Sequence, residues 1–375
     1  MKIEIDQEVL SKALSYLSRI VSNRPSYPIL SNLLLDANKN GTVSFSATNL
    51  DITLTVRSGA EVKAEGKITC PAKTLSDFVS FLSSGPVTLA TDADKLLVSS
   101  GAHKATFSTI PTEEFPELPA VTKDSSTVLV MSGKVFKEIV DRVSFACAKD
   151  LSRPIFSAVL FEPAAEQIVW VGLDGHRLSK VTSEMKVESK VGNLLIPAEA
   201  LDEVARSITE DEELTIYSVK KGQHVVIKYG TIDLATRQIE GVYPDYKVAL
   251  PKEEKSKLVL STEEFLNAVK MARLFSSDEL ANRIEISYAK EKLTISSSGS
   301  KVGENTTVLS AEGEGEDFKA AFNAQFLTDI LSRVTTEKVE FSTFVPATDD
   351  KLRGGVFREE GNSDFFHIVM PLFTS

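Results

Sequence analysis

The sequence predicts an α+β protein made of three similar consecutive domains, each with two helices packed on a largely antiparallel sheet. Three observations predict this class. The chain repeats itself at an offset of 126 residues, corresponding positions of each repeat have helical spacing, and apolar and polar residues alternate between the helices. The expected domains cover residues 1–122, 123–252 and 253–375.

The repeat is clearest in a short apolar stretch of the first two domains. The segment "PILSNLLLD" at 28–36 corresponds to "PIFSAVLFE" at 154–162, with matching Pro, Ile, Ser and Leu positions. Similarity at a fixed long offset indicates that one structural unit has been duplicated.

Two families of amphipathic helix recur, with one member of each family in every repeat. Their apolar residues follow the i, i+3, i+4, i+7 spacing of a single helical face. The first family covers residues 10–17, 136–143 and 265–272, and the second covers 75–82, 201–208 and 327–334. Asp6, Ser132 and Ser261 precede the first family and can cap the free amides of the first turn.

Segments between the helices alternate with period two, as in "TVSFSATNLDITLTV" and "HVVIKYGTIDLATRQ". Such alternation, interrupted by Gly, Asn and Asp, predicts antiparallel strands with one buried face. Proline-containing segments at 108–120 and 239–251 close the first two repeats, and "FFHIVMPLFTS" closes the third.

The composition is that of a globular protein, with 42% hydrophobic and 25% charged residues. No apolar run is long enough for a membrane span, and the first residues lack the apolar core of a secretion signal, so we expect a cytoplasmic protein without membrane contacts. The net charge of −11 gives no general attraction for nucleic acid. Any DNA contact must therefore come from a local arrangement of cations.

The two cysteines are expected to be buried thiols. Cys70 and Cys147 stand in apolar surroundings, and neither has another cysteine or a histidine at metal-ligand spacing. We expect no metal and no cofactor.

The segment "LDGHRL" at 173–178 admits several interpretations. Catalysis would need an activated nucleophile, but the nearest hydroxyl, Ser179, lies in a predicted strand without a nucleophile-elbow pattern. A metal would need more ligands than Asp174 and His176. A plain chain reversal at Asp174 and Gly175 is a third interpretation, and a binding role is a fourth.

Several motifs occurring in one order carry a family resemblance. They are "RPSYPILSNLLL" (24–35), "DGHRL" (174–178), "YPDYKVALP" (243–251), "FNAQFLTDIL" (322–331) and "VMPL" (369–372). With them, the whole chain resembles the bacterial DNA polymerase III beta subunit family, the sliding clamps of replication. Two competing hypotheses are an enzyme that uses His176 and Asp174, and a repeat-built structural protein without a DNA role.

The resemblance implies the DNA clamp fold: a head-to-tail homodimer whose six similar domains form a ring around double-stranded DNA, with helices lining the hole. It implies a processivity factor that has no active site and binds DNA without sequence specificity. The implied partners are the DNA polymerase III alpha subunit, the clamp loader, and other polymerases and repair proteins that carry a clamp-binding peptide.

The resemblance also implies a peptide-binding groove between the second and third domains. The matching positions are Phe156, Leu173, Gly175, His176, Arg177, Leu178, Pro244, Val248, Ala249, Leu280, Asn323, Phe326, Pro346, Val369, Met370, Pro371 and Leu372. Apolar walls would desolvate a Leu or Phe anchor, while His176, Arg177 and Asn323 would orient the peptide through hydrogen bonds.

Contacts with DNA are expected from Arg24, which the resemblance places at the DNA, and from cations of the predicted helices and of the loop before 154. These cations are Lys12, Arg19, Lys137, Arg142, Lys149, Arg153, Lys270, Arg273 and Arg333. Helices that cross the phosphate backbone without entering a groove supply charge without base reading.

Overall fold

A computed structural model describes residues 1–22, 26–150, 152–164, 166–187, 191–219, 223–276, 281–299, 303–345 and 353–372. Contacts divide the chain into two compact units. The first unit is built mainly from the described residues of Met1–Lys137 and Glu203–Gln238. The second unit is built from those of Glu138–Val187, Gly192–Asp202 and Ile239–Ser375.

The described residues contain the six predicted α-helices. They are α1 (Gln7–Ile20), α2 (Ala72–Ser80), α3 (Gly133–Val143), α4 (Ala198–Ser207), α5 (Thr262–Arg273) and α6 (Ala324–Leu331). Helices α2, α4 and α6 begin at Ala72, Ala198 and Ala324, each 126 residues after the previous one. The helical part of the predicted repeat is thereby confirmed.

The helices begin where the capping residues predict. The Asp6 side chain accepts a hydrogen bond from the Glu8 amide at 2.9 Å, and the Ser261 hydroxyl accepts one from the Glu264 amide at 3.3 Å. The apolar positions of all six predicted faces are buried, except that Phe78 is half-buried. Burial of one face supplies most of the stability of helices this short.

The strands alternate with the helices along the chain. In order they are β1 (Lys2–Asp6), β2 (Asn32–Ala37), β3 (Thr42–Thr48), β4 (Ile52–Gly59), β5 (Glu61–Ala64), β6 (Gly66–Pro71), β7 (Pro86–Asp92), β8 (Lys95–Ser100), β9 (His103–Ser108), β10 (Ser126–Ser132), β11 (Ala158–Pro163), β12 (Ile168–Leu173), β13 (Arg177–Ser183), β14 (Leu194–Pro197), β15 (Glu213–Val219), β16 (His224–Tyr229), β17 (Ile232–Arg237), β18 (Ser256–Ser261), β19 (Arg283–Ala289), β20 (Lys292–Gly299), β21 (Gly303–Ser310), β22 (Glu312–Gly315), β23 (Phe318–Asn323), β24 (Lys338–Phe344), β25 (Gly354–Glu359) and β26 (Phe365–Val369).

The first unit contains two antiparallel sheets. One has five strands in the order β5-β1-β7-β8-β9, and the other has eight in the order β10-β15-β16-β17-β4-β3-β2-β6. Strands β17 and β4 pair with Leu234 opposite Leu54, which joins strands of the first and second repeats into one sheet.

The second unit also contains two antiparallel sheets. Nine strands follow the order β14-β11-β12-β13-β26-β25-β24-β18-β22, and four follow β21-β20-β19-β23. Strands β13 and β26 pair with Leu178 opposite Ile368, which joins the second and third repeats. The sheets continue from one repeat into the next, so the two compact units do not end at residues 122 and 252. The domain boundaries at these residues stay a prediction from the sequence repeat.

The duplicated apolar segments have the same local structure. Pro28–Ser31 and Pro154–Ser157 each form one 3-10 turn, which leads into β2 and β11 respectively. The hydroxyl of Ser31 donates to the Pro28 carbonyl at 2.7 Å, and the hydroxyl of Ser157 donates to the Pro154 carbonyl at 2.7 Å. Both turns therefore use one hydrogen-bonding pattern.

Both cysteines are buried thiols, as predicted. Burial raises the pKa of the Cys70 and Cys147 thiols, so each stays protonated near neutral pH. None of the helices in the described part of the chain is long and apolar enough to cross a membrane.

Candidate functional site

The segment at 173–178 forms a tight hairpin turn between β12 and β13. Leu173 pairs with Leu178, and Gly175 has a φ of +94°, a conformation that glycine adopts without a Cβ penalty. One carboxylate oxygen of Asp174 accepts the amide hydrogens of His176 at 2.8 Å and Arg177 at 3.0 Å. Of the interpretations open for this segment, the structure shows the chain reversal at Asp174 and Gly175.

The hydrogen bonds of this turn leave no catalytic arrangement around His176. The second carboxylate oxygen of Asp174 accepts from Arg177 Nε at 2.9 Å, so the turn itself engages both oxygens. The nearby Ser179 hydroxyl is fully buried and lies 2.6 Å from Nδ1 of His367, which is also fully buried. A nucleophile enclosed in this way cannot meet a substrate.

The described residues offer no set of ligands for a metal centre. Within the described ranges, no three His, Cys, Asp or Glu side chains are placed to share a metal ion. His176 and Asp174 therefore stand without the further ligands that a closed zinc site takes from a protein.

Three elements of the second unit meet beside the turn: β26, β23 and helix α6. The amide of Met370 donates to the His176 carbonyl at 2.8 Å, and the amide of Leu372 donates to the Ala321 carbonyl at 2.7 Å. The segment after β26 is therefore held on one side by the turn and on the other by β23. Asn323, at the end of β23, caps α6 by accepting from the Gln325 amide at 2.8 Å.

Aromatic and cationic side chains contact one another beside this turn. The Phe326 ring stacks with the His176 ring at a centroid distance of 6.5 Å, and the Arg177 guanidinium lies 4.5 Å from the Phe326 centroid. The Arg153 guanidinium lies 4.6 Å from the centroid of Phe156. These flat faces are suited to apolar and planar ligand groups.

The surface beside these rings, formed by Phe156 and Met370, is apolar. Phe156 and Met370 are half-buried and pack against a buried cluster that includes Leu173, Leu178 and Ile368. Half-buried apolar side chains on a rigid core can cover an apolar ligand at little ordering cost. Met370 adds a flexible side chain that adapts to different ligand shapes.

The groove residues expected from sequence lie at different depths. Gly175, His176, Val248 and Ala249 are exposed; Phe156, Pro244, Asn323, Phe326, Met370, Pro371 and Leu372 are half-buried; Leu173, Arg177, Leu178 and Val369 are buried; Leu280 and Pro346 lie outside the described residues. The buried side chains support the surface that the others form.

Two of the cationic side chains have placements that the sequence does not predict. Arg177 is buried, with its guanidinium held by the carboxylates of Asp174 and Asp329. Arg153, expected among the DNA contacts, lies on Phe156 and donates to the Asp174 carbonyl at 3.4 Å. Asp329, the second carboxylate partner of Arg177, is absent from the expected set. Its only sequence signal is its position three residues after Phe326 on α6.

The cations expected to contact DNA are distributed over both units. Lys12, Arg19, Lys149, Lys270 and Arg273 are exposed, Lys137, Arg142 and Arg333 are half-buried, and Arg24 lies outside the described residues. Arg19 pairs with the buried carboxylate of Glu203. Exposed cations can approach a phosphate, whereas a cation that is held inside the protein must first give up its partner.

Arg142 and Arg333 line a cleft of about 490 Å³ between the ends of α3 and α6. Arg142 pairs with the carboxylate of Glu359 at 3.0 Å, and Arg333 Nε donates to the Asp141 carbonyl at 3.1 Å. The Arg333 guanidinium also lies 4.2 Å from the Phe145 centroid. These contacts tie both cations to the protein.

Comparison with known proteins covers nearly the whole chain. Family models of the DNA polymerase III beta subunit match residues 1–119 (N-terminal domain), 130–245 (central domain) and 247–372 (C-terminal domain). The beta sliding clamp of Synechococcus elongatus is 30% identical over 349 residues, which cover 91% of this chain and 92% of that protein. The beta sliding clamp of Streptomyces coelicolor is 28% identical and covers 99% of both chains.

Solved structures agree with these relatives. The sliding clamp of Pseudomonas aeruginosa, crystallised with griselimycin bound, has a TM-score of 0.90 and 26% identity, and the match covers all of both chains. Three consecutive domain models, a full-length relative at 30% identity and this fold agree with the resemblance in the sequence. The chain therefore belongs to the DNA polymerase III beta subunit family, the beta sliding clamps.

Proposed function

We propose that this beta sliding clamp, a non-catalytic processivity factor of DNA polymerase III, closes as a homodimeric ring around duplex DNA and holds its partners in the groove beside Arg177. Its predicted domains are residues 1–122, 123–252 and 253–375, and the three family models, which end and begin near these limits, support that division. The family name implies DNA and a polymerase as partners. Their contact residues, and a cytoplasmic location, are part of the proposal.

The observation that carries the peptide-binding role is the convergence of the hairpin turn, α6 and the segment after β26. His176 and Phe326 form an open aromatic rim, and Phe156 and Met370 form an apolar wall on a buried cluster. An extended peptide with a Leu or Phe anchor would place that anchor on the wall and its backbone beside the exposed His176. The alpha subunit, the clamp loader and repair proteins would compete for this groove.

Peptide binding is tested with a short fluorescein-labelled peptide carrying Leu and Phe anchors, with griselimycin as the competitor. We expect saturable binding that Phe326→Ala weakens at least tenfold, because the rim loses its aromatic face. The matched control is Phe81→Ala, which removes an exposed ring from the first unit. Equal affinities for wild type and the Phe326 variant would refute the assignment.

The end of the chain supplies a second test of the groove. Deletion of residues 371–375 removes the bond from the Leu372 amide to the Ala321 carbonyl and the last expected groove residues. We expect the truncated chain to lose polymerase binding and to keep the molar mass of the wild type. Retained polymerase affinity would contradict the proposed site.

For the dimer, we propose that edge strand β9 of one copy pairs with edge strand β21 of the other. Each is the end strand of its sheet and has unpaired backbone groups on one side. Val308 on β21 is 54% exposed, which leaves apolar surface for a partner. A closed pair has a molar mass of about twice the 40.9 kDa of one chain.

Light scattering of two matched valine variants tests this interface. Val308→Asp places a charge on edge strand β21, and Val130→Asp places one on edge strand β10, where the valine is 38% exposed. We expect the first variant to have the mass of one chain and the second to keep the mass of two.

A ring also predicts that clamp loaded onto circular DNA stays bound and slips off once that DNA is cut.

A further inference from the structure

Helix α6 carries a carboxylate, Asp329, that is bonded to Arg177 of the hairpin turn. We propose that Asp329 is a positioning residue of the groove: through Arg177 it fixes the distance between the turn at Asp174–His176 and helix α6. This inference rests on the peptide-binding role proposed above and names the interaction that gives the groove its width.

Two carboxylates from different elements hold one guanidinium. Arg177 Nε donates to Asp174 within the turn at 2.9 Å, and Arg177 Nη1 donates to Asp329 on α6 at 2.6 Å. The planar fork of arginine fixes the direction as well as the distance of each bond. The turn and the helix are therefore joined by a geometrically defined bridge.

The same guanidinium determines where the aromatic rim stands. It lies 4.5 Å from the centroid of Phe326, and the Phe326 ring in turn stacks with His176 at 6.5 Å. Phe326 and Asp329 are three residues apart on α6, so they project from the same side of the helix. A displacement of Arg177 would change the spacing between His176 and Phe326.

The position of Asp329 is itself fixed from the other side. Its second carboxylate oxygen accepts from Gln325 Nε2 at 2.6 Å, one turn earlier on α6. The Asp329 side chain is 25% exposed and that of Arg177 only 7%, so the bond to Arg177 is largely shielded from solvent. Shielded, hydrogen-bonded pairs resist displacement more than surface pairs do.

Loss of Asp329 leaves the buried Arg177 with one carboxylate, and the guanidinium has to move towards Asp174 or water. The turn and α6 then lose their defined spacing, and the peptide must order the groove as it binds. We expect Asp329→Ala to weaken binding of the fluorescein-labelled Leu/Phe peptide about tenfold. Asp329→Asn keeps an oxygen acceptor for Arg177 and should bind within about threefold of the wild type.

The matched control is Thr328→Ala, the neighbouring position of the same helix. It removes the bond from the Thr328 hydroxyl to the Ala324 carbonyl and leaves Arg177 untouched. A general weakening of α6 would affect both alanine variants, whereas the positioning role affects only Asp329→Ala. Far-ultraviolet circular dichroism verifies that each variant is folded.

Two further measurements separate positioning from stability. The His176 ring protons, assigned with His176→Gln, report the ring current of Phe326, and their NMR shifts should move in Asp329→Ala and stay unchanged in Thr328→Ala. In an Arg177→Met background, Asp329→Ala should change peptide affinity less than twofold, because its action runs through Arg177.

The outcomes distinguish the inference from the function on which it rests. If the wild type binds the peptide and Phe326→Ala does not, while Asp329→Ala binds like the wild type with unmoved His176 signals, the positioning role is overturned and the groove stands. The positioning role is also overturned if Asp329→Ala weakens peptide binding as much in the Arg177→Met background as in the wild type. Absence of peptide binding by the wild type would overturn both proposals.

Discussion

The hydroxyl of Ser179 lies 2.6 Å from Nδ1 of His367, and both side chains are fully buried. The His367 ring also stacks on Phe145, with centroids 5.0 Å apart. Burial lowers the pKa of the His367 imidazole well below its ordinary value, and the nearby cations Arg177 and Arg333 act in the same direction. The ring is therefore neutral in the folded protein at neutral pH.

This relationship predicts a loss of stability in mild acid. Below pH of about 6.5 the unfolded chain takes up a proton at His367 that the folded chain does not, so the free energy of unfolding falls as pH falls, by up to about 1.4 kcal/mol per pH unit. Urea unfolding between pH 6.5 and 5 measures the slope. We expect His367→Gln to flatten it.

Gly172 on β12 is predicted to tolerate no side chain. A Cβ at this position would lie 2.1 Å from the Val143 carbonyl oxygen and 3.0 Å from Cys147 Sγ, so α3 would have to move away. We expect Gly172→Ala to lower the free energy of unfolding by about 3 kcal/mol. Gly192→Ala, where a Cβ meets nothing within 4 Å, is the control and should change it by less than about 0.5 kcal/mol.

Glu359 is predicted to stabilise the second unit through its ionised form. Burial raises the pKa of this carboxyl, but hydrogen bonds from Asn362 and Thr335 and the charge of Arg142 outweigh burial and hold the pKa below its ordinary value. The stabilisation by the Glu359 carboxylate is therefore fully present above the pKa that this carboxyl has in the unfolded chain. It is lost as the pH falls through the lower pKa of Glu359 in the folded protein. Glu359→Gln should lower the free energy of unfolding by about 2 kcal/mol at pH 7.

The control for this prediction is the adjacent, exposed Glu360. Glu360→Gln should leave the unfolding midpoint in urea unchanged. The deficit of Glu359→Gln should shrink as the pH falls below about 4.3, the ordinary pKa of a glutamate, because the unfolded wild-type chain then takes up a proton that the folded chain does not. A deficit that stays constant down to pH 3 would show that charge is not its source.

The exposed cations at the end of α5 provide a test of DNA contact. Lys270 and Arg273 stand in the last turn of the helix and are exposed. If both side chains neutralise phosphates, replacing Lys270 and Arg273 by Ala should weaken the salt dependence of DNA binding. For a short labelled duplex, the slope of the logarithm of the DNA-binding constant against the logarithm of the salt concentration should fall by about 2. Lys39→Ala, at an exposed lysine that pairs with Glu65, should leave the slope unchanged.

Local sequence patterns predicted much of the secondary structure. The helical faces, the caps at Asp6 and Ser261, and the turn at Asp174 and Gly175 all depend on residues within a few positions of one another. Their physics is short-range, because a helix face and a turn are defined by neighbouring backbone groups. An offset of 126 or 129 residues then related each local assignment to the corresponding segment of the next repeat.

The groove could be predicted only in outline. Its residues came from a family resemblance, and their depth did not follow from it: Arg177 was expected to face a peptide, and the structure buries it. Arg153 was assigned to DNA, and the structure places its guanidinium on Phe156, one of the residues expected in the groove. Neither placement has a signal in the local sequence, since both depend on which side chains other elements bring near.

The sequence by itself determined the three repeats, the six helices with their buried faces and the alternating strands. The tertiary structure alone decided that strands pair across the repeats, that Ser179 meets His367, and that Arg177 binds Asp329, which is 152 residues away along the chain. Periodicity and capping act over a few residues, whereas a buried charge takes its partner from whatever element the packing of apolar faces places beside it.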